Sequence, residues 1–236
     1  MHWVPSPMKS GSITLLQIND THGYLKPHPE LVWHGGAATF PVLGGYARIA
    51  GLFRDIRAER GGAVVALDNG DTFHGTYPAV QSRGTALVPL LNTLALDGMT
   101  AHWEFAYGPM HFRTLAARLS YPVLAINCYE KAGGKLAFQP SRVIERGGLR
   151  VGIIGVAAAI VDKGMPPAYS EGLRFTLGRD ELPGHMARLR GEESVDLIVV
   201  LSHLGFPQDV RLASEVAGID VLLSGHTHNR LENRCW

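Results

Sequence analysis

The amino-acid sequence predicts an α/β fold, in which strands and helices alternate along the chain. Short apolar runs rich in β-branched residues recur, and most segments between them carry apolar residues at every third or fourth position. A length of 236 residues suits one domain with a well-buried core. The predicted strands are Ile13–Ile18, Ala63–Leu67, Val123–Ile126, Val151–Val156, Leu197–Leu201 and Val221–Leu223.

Helices are predicted where apolar positions return with helical spacing. Around Arg146, Gly147 and Gly148 the alternation stops, because two strand-like runs stand there at hairpin spacing, which predicts a mixed sheet. The stretch Lys26–Leu43 is predicted to be a long loop. The helical positions are Tyr46, Ile49, Leu52, Phe53 and Ile56 in one segment, and Leu87, Leu90, Leu91, Leu94 and Leu96 in another.

Charge and composition favour a globular protein without a macromolecular partner of strong charge. The 22 Lys and Arg residues nearly balance the 21 Asp and Glu residues, so neither nucleic acid nor a membrane is a predicted partner. The apolar runs are too short to cross a bilayer. No signal sequence is recognised, which predicts the cytoplasm, or the periplasm if a signal was removed. Cys128 and Cys235 are predicted to be free thiols.

Two aspartates and a histidine follow the first two predicted strands. Asp20 and His22 stand two residues apart, and would lie on the same side if the first strand continues through them. Asp71 comes after the second strand, where Gly70 permits a sharp turn that leaves the carboxylate at the sheet edge. A carboxylate in that position can bridge two cations.

Four more histidines, His102, His203, His226 and His228, follow later apolar runs. The carboxyl ends of strands are where open α/β sheets place their sites. Taken singly, such residues are more often turn, core or surface residues than ligands. Together their nitrogen and oxygen donors suit Mn, Fe, Zn or Co better than Ca or Mg. The sequence contains no phosphate-binding loop, complete dinucleotide motif or serine-nucleophile elbow.

Four sequence blocks, in this order, resemble the calcineurin-like metallophosphoesterases and, within them, the 5'-nucleotidase branch. The resemblance implies a four-layer α/β/β/α sandwich and two divalent transition metals, with Mn or Zn favoured over Fe or Co. The blocks are Asp20-x-His22, Gly70-Asp71, Ser202-His203 and Gly225-His226-Thr227-His228.

The resemblance also implies a role for each residue of these blocks. One metal would be held by Asp20, His22 and His228. Asp71 would bridge to the other metal, which His203 and His226 would hold.

One block departs from the family pattern. His102 stands where the family has an Asn ligand, and Trp103 stands where the family has its catalytic histidine. An imidazole can replace an amide oxygen as a ligand, so His102 is a predicted ligand of the second metal. The stretch from His102 to Gly108 resembles the thiosulfohydrolase branch of the same family. The predicted catalytic residues are Asp71, His102 and His203.

Three hypotheses of function follow. The first is hydrolysis of a small-molecule phosphate monoester or nucleotide by a metal-bridging hydroxide. The second keeps the metals and changes the substrate to a sulfur-linked group, as in the thiosulfohydrolase branch. The third is a catalytically impaired metal-binding fragment, since residues 1–236 are predicted to be a catalytic domain without its C-terminal strands and substrate-binding domain. An unfinished sheet edge would favour self-association.

Overall fold

The computed structural model describes residues 11–229, and most of its strands belong to two main sheets. The strands are Thr14–Ile18 (β1), His28–Pro29 (β2), Val32–His34 (β3), Ala37–Thr39 (β4), Val42–Leu43 (β5), Val64–Asp68 (β6), Gly98–Met99 (β7), Cys128–Glu130 (β8), Ser141–Arg146 (β9), Leu149–Val156 (β10), Leu173–Phe175 (β11), Leu197–Ser202 (β12) and Val221–Ser224 (β13). Five of the six predicted strands are confirmed with small shifts at their ends.

The helices lie between the strands, as the alternating pattern predicts. They are Tyr46–Glu59 (α1), Tyr77–Gln81 (α2), Val88–Thr93 (α3), Pro109–Ala116 (α4), Val161–Gly164 (α5), Leu182–Gly191 (α6) and Phe206–Glu215 (α7), with 3-10 helices at Trp103–Tyr107 and Pro167–Ser170. Within residues 11–229, none of the helices has both the length and the apolar character that crossing a bilayer requires.

One main sheet has the strand order β1-β6-β7, and all its pairs are parallel. The other has the order β13-β12-β10-β9, in which only β9 runs antiparallel to its neighbour. Leu149 pairs with Arg146, so Gly147 and Gly148 form a two-residue hairpin turn, with φ angles of 55° and 78°. The predicted hairpin and mixed sheet are confirmed.

Alternation of side chains along the strands places the two sheets face to face. Val65 and Leu67 of β6 pack against Ile153 and Val199 of the second sheet. The remaining faces of the two sheets pack against helices: Phe53 of α1 on one side, and α6 and α7 on the other. The structure is therefore the four-layer α/β/β/α sandwich that the resemblance implies.

The segment from Val123 to Ile126 is not the regular strand that its apolar run predicts. The backbone amides of Leu124 and Ile126 donate to the carbonyls of Met99 and Gly155, which belong to different sheets. Because its hydrogen bonds are divided between the two sheets, the segment forms isolated bridges rather than one continuous ladder.

The stretch Lys26–Leu43, predicted to be a loop, contains a hairpin arm. β3 pairs with β4 across Gly35 and Gly36, and β2 pairs with β5. A Gly-Gly pair between two short runs that can form strands, here Val32–His34 and Ala37–Thr39, is itself a hairpin signal, and it could have identified the arm.

Of the two cysteines, the structure describes Cys128. Cys128 is a buried free thiol, as predicted. Cys235 and the predicted unfinished chain end lie outside the described residues.

Candidate metal centre

The site lies where parallel strands of both sheets end. The chain leaves β1 and β6 at Ile18 and Asp68, which are paired in register, and it leaves β12 and β13 at Ser202 and Ser224, which are also paired. The residues that follow these strands therefore meet at one edge of the sandwich.

All seven residues predicted to be ligands come together at this edge, in two groups. Within each group, one donor atom per residue lies within 4.8 Å of the others. A four-residue group consists of Asp71, His102, His203 and His226, and a three-residue group consists of Asp20, His22 and His228.

The two aspartates each face imidazole rings of both groups. Asp71 Oδ2 lies 3.2 Å from His203 Nε2 and 3.9 Å from His22 Nε2. Asp20 Oδ1 lies 3.2 Å from His228 Nε2 and 3.7 Å from His203 Nε2. The groups are therefore adjacent, and Asp71 lies where the sequence predicts a bridging carboxylate.

Backbone carbonyls orient two of the imidazoles. His203 Nδ1 lies 2.6 Å from the carbonyl oxygen of Asn69, and His22 Nδ1 lies 2.9 Å from that of His74. A carbonyl only accepts, so each Nδ1 carries a hydrogen, and each Nε2 faces the carboxylates as the ring atom that can give up its proton to bind a cation. This is the arrangement that a histidine ligand needs.

The donor atoms fit a cation. His203 Nε2 and His226 Nδ1 are buried and make no hydrogen bond. Burial alone would lower the pKa of His203, but Asp71 and other nearby carboxylates raise it to about 9. Burial raises the pKa of Asp71, yet the interactions with His102 and His203 outweigh it and hold that pKa well below its usual range. Groups that stabilise a proton between His203 and Asp71 can stabilise a metal cation in the same position.

Several site residues have a strained backbone. The first strand ends at Ile18 as predicted, so it does not continue through Asp20 and His22, and both residues take left-handed conformations. In the described part of the chain, five of the eight non-glycine residues with positive φ belong to the two groups. Such conformations are retained where function requires them. They are Asp20 (51°), His22 (47°), Asp71 (59°), His226 (83°) and His228 (51°).

Glu104 supports the site and was not among the predicted residues. Its side chain is fully buried, and Oε1 accepts from the Thr72 amide at 2.7 Å while Oε2 accepts from the His102 amide at 2.7 Å. Oε2 also accepts from the Asp71 amide at 3.3 Å. Glu104 thus fixes two segments that carry candidate ligands. A glutamate set between Trp103 and an apolar Phe was the available signal.

Asn69 is a second supporting residue that the sequence analysis missed. Its side-chain amide donates to the carbonyls of Ser202 and Leu223, each at 2.8 Å, so it joins the end of the first sheet to that of the second. Its own carbonyl orients His203. Its position two residues before Asp71 was the available signal.

Trp103 is held directly against the site. Its amide donates to Asp71 Oδ1 at 2.8 Å, and its ring stacks on the His74 ring with centroids 4.9 Å apart. An indole cannot donate a proton as an imidazolium can. Trp103, which stands where the resemblance implies a catalytic histidine, therefore offers no acid group.

Comparison with solved structures identifies the fold class of the protein. The structure matches a calcineurin-like phosphoesterase from Bacillus subtilis with a TM-score of 0.75 at 19% identity, over 94% of this chain and 74% of that protein. It matches a 5'-nucleotidase precursor from Thermus thermophilus with a TM-score of 0.76 at 30% identity, over 91% of this chain and 41% of that protein. The fold is that of the calcineurin-like metallophosphoesterases.

The sequence narrows the assignment. A probable 5'-nucleotidase from Treponema pallidum is 31% identical over 92% of this chain and 36% of its own length. No protein-family model matches the chain. The chain belongs to the 5'-nucleotidase family of calcineurin-like metallophosphoesterases, and it spans less than half the length of the curated relatives it matches.

One structural match carries a different activity in its name. The sulfate thiohydrolase SoxB of Thermus thermophilus matches with a TM-score of 0.86 at 25% identity, over 98% of this chain and 50% of that protein.

Proposed function

We propose that the protein is a two-metal hydrolase of phosphate monoesters. The observation that carries this proposal is the position of Asp71, whose Oδ2 faces His203 of one ligand group and His22 of the other. A carboxylate shared in this way suits two cations close enough to act on one phosphoryl group.

The ligand sets follow from the two groups. Asp20, His22 and His228 would hold one cation, with Asp71 shared between the two. His102, His203 and His226 would complete the second site. This mixture of nitrogen and oxygen donors favours Mn or Zn, with Fe or Co as alternatives. When bound, the cations would neutralise phosphoryl charge and lower the pKa of water at the site.

The residues of the chain position the candidate metal ligands, and none of them needs to attack the substrate. The backbone carbonyls of Asn69 and His74 fix the tautomers of His203 and His22. Glu104 holds the amides of Asp71 and His102. A preformed arrangement of this kind requires no reorganisation during the reaction.

Trp103 bears on the choice of substrate, because its indole cannot protonate a leaving group. Esters whose leaving groups are acidic enough to depart unprotonated should therefore react fastest. The substrate we propose is a small phosphate ester or nucleotide, in line with the names of the relatives.

The test compares Mn-loaded parent protein with Asp71→Asn, using p-nitrophenyl phosphate hydrolysis and metal content. The variant should retain less metal, and its kcat/KM should fall by about a thousandfold. Asp55→Asn is a matched control, because Asp55 is an exposed aspartate that pairs with Arg54 on α1. Equal activity of the parent and Asp71→Asn would contradict the proposal.

The second candidate function is hydrolysis of a sulfur-linked group. It is supported by the likeness to the sulfate thiohydrolase and by Trp103 beside His102. Sulfate release from an organic thiosulfonate, without phosphate release from aryl phosphates, would favour this function over the first. Metal binding with neither activity would instead support the third hypothesis.

A further inference from the structure

The hairpin arm that contains β2, β3, β4 and β5 keeps one pairing register along its whole length. Between the pair β2–β5 at its base and the pair β3–β4 at its tip, the Glu30 amide donates to the Pro41 carbonyl at 2.9 Å. Gly35 and Gly36 make the turn, with φ angles of 56° and 81°. A side-chain carbon added at either glycine would meet no atom within 4 Å, so the tip projects from the described part of the protein.

One face of this arm consists only of apolar residues. Trp33 is paired with Ala38, and because side chains alternate along a strand, every second residue from these two lies on the same face. The face reaches the base of the arm, where Pro29 is paired with Val42. All of its residues are exposed, Trp33 by 68% and Phe40 by 67%. The arm face consists of Pro29, Leu31, Trp33, Ala38, Phe40 and Val42.

The arm face is large enough to be an interaction surface. An aromatic side chain has about 150–250 Å² of surface, so Trp33 and Phe40 together expose roughly 200–300 Å². With its four smaller residues, the arm face offers about 400–600 Å², the size of an apolar patch that is often functional on a monomer. This area also approaches the roughly 600 Å² per partner that the smaller specific interfaces bury.

The absence of charge on the arm face limits the kind of partner that it fits. The range 28–43 contains neither Lys nor Arg, whereas an anionic membrane or an acidic partner would need basic side chains beside the apolar ones. Glu30 lies on the opposite face, where it is paired with His28 at 3.0 Å. In a two-fold contact between identical copies, each charge near the axis would meet its own like. An uncharged face therefore suits a second copy of this chain.

The shape of the arm face also suits a second copy. Trp33 lies beside the small side chain of Ala38, so a bulky ring stands next to a shallow place. A two-fold axis through the face would put the Trp33 ring of each copy over Ala38 of the other, which makes the surface complementary to itself. Two apolar sheet faces pack in this way about 10 Å apart.

We propose that the arm faces of two copies pack against each other about a two-fold axis, so that the protein forms a weak homodimer in solution. The inference goes beyond the proposed function, because it uses no metal and no residue of the candidate metal centre. It assigns self-association to the arm rather than to an unfinished sheet edge. An area of about 400–600 Å² per copy corresponds to a dissociation constant of about 10–100 μM.

Sedimentation velocity of the 236-residue chain, from about 1 μM to about 500 μM, measures the association. We expect the parent to change from monomer to largely dimer over this range. Trp33→Thr should weaken dimerisation by at least about thirtyfold, because both copies lose an aromatic anchor while threonine still favours a strand. Tyr77→Thr is the matched control, because Tyr77 is a 76% exposed aromatic residue on α2, outside the arm. This variant should dimerise as the parent does.

A pair of charged variants tests the two-fold arrangement itself. Trp33→Lys and Trp33→Glu each place like charges close together across the axis, so each alone should stay monomeric up to about 500 μM. An equal mixture of the two should associate at least about tenfold more tightly than either alone. Far-UV circular dichroism and the urea midpoint show that the variants are folded.

Three results would overturn the inference. They are a parent that stays monomeric, association that Trp33→Thr leaves unchanged, and a mixture of the charged variants that associates no better than each alone. A monomeric parent that binds neutral phosphatidylcholine vesicles would assign the arm face to a lipid surface instead. None of these measurements involves hydrolysis, so a dimer that cleaves no phosphate ester would contradict only the proposed function.

Discussion

The space between the two sheets and the edge where their strands end are built from neighbouring residues, yet they differ in polarity and in backbone conformation. Val65 and Leu67 lie in a regular parallel strand and are fully buried among apolar side chains. Four residues after Leu67, Asp71 has a φ of 59° and lies among imidazole rings. Over these few residues, therefore, the chain passes from apolar side chains packed in the core to polar side chains placed as candidate metal ligands.

The difference shows which part of the sequence serves stability and which serves function. Buried donor atoms without hydrogen bonds and left-handed backbone are unfavourable for folding alone. Both are concentrated at the strand ends, in His203, His226 and their neighbours.

Glu104→Gln should lower activity strongly, because an amide cannot replace a carboxylate that accepts backbone hydrogen bonds on both oxygens. We expect activity to fall by about a hundredfold, as for residues that orient metal ligands. Aryl phosphate hydrolysis and metal content of the folded variant measure this. Glu145→Gln, at an exposed glutamate on β9, is the control. An active Glu104→Gln protein would show that the backbone positions do not depend on this carboxylate.

Ile153→Ala tests the other side of the comparison. Ile153 is fully buried between the sheets, so its truncation should lower the free energy of unfolding by about 2–4 kcal/mol. Urea denaturation measures the loss. The activity of the protein that remains folded should stay within about twofold of the parent. A large loss of activity per folded molecule would mean that core packing and ligand geometry are not separable here.

Asp209 lies at the boundary of the two regions, where its carboxylate accepts from the hydroxyls of Ser202 and Ser224. Burial, partly offset by these hydrogen bonds, raises the pKa of Asp209 from 3.8 to about 6. The carboxyl is neutral in both states below the lower value. Ionisation above it is less favourable in the folded protein, so Asp209 should lower stability by about 2–3 kcal/mol as the pH rises through this window.

Unfolding of the metal-free protein in urea, at about pH 4 and about pH 7, gives the slope for the parent and for Asp209→Asn. The variant should lose this part of the pH dependence, whereas Asp55→Asn, at an exposed aspartate, should not. The same slope in the parent and in Asp209→Asn would refute the assignment.

His228→Gly should have the smallest effect. His228 has a φ of 51°, which glycine adopts without strain. The metal-free variant should be more stable by about 0.5–1 kcal/mol, even though it loses a candidate ligand. Arg211→Gly within α7 should instead lower stability by about 1 kcal/mol. Thermal unfolding compares the two, and a loss of stability in His228→Gly would mean that the left-handed backbone is not strained.

The sequence predicted the sheets and the seven converging side chains, because strand ends of an α/β sandwich meet at one edge whatever the local detail. It did not predict the left-handed turns at Asp20 and His22, since residues of these types are more often found extended or helical. Glu104 was missed because two of its partners, the backbone amides of Asp71 and Thr72, lie 33 and 32 residues earlier in the chain. The hydrogen bonds of Leu124, divided between two sheets, have no counterpart in an apolar run.

If the seven candidate ligands hold two cations, anomalous diffraction from crystals loaded with Mn, recorded at the Mn absorption edge, will locate both. We expect two peaks, one on each side of Asp71. One peak should lie beside Asp20, His22 and His228, and the other beside His102, His203 and His226. A single peak, no peak, or peaks away from these residues would contradict this expectation.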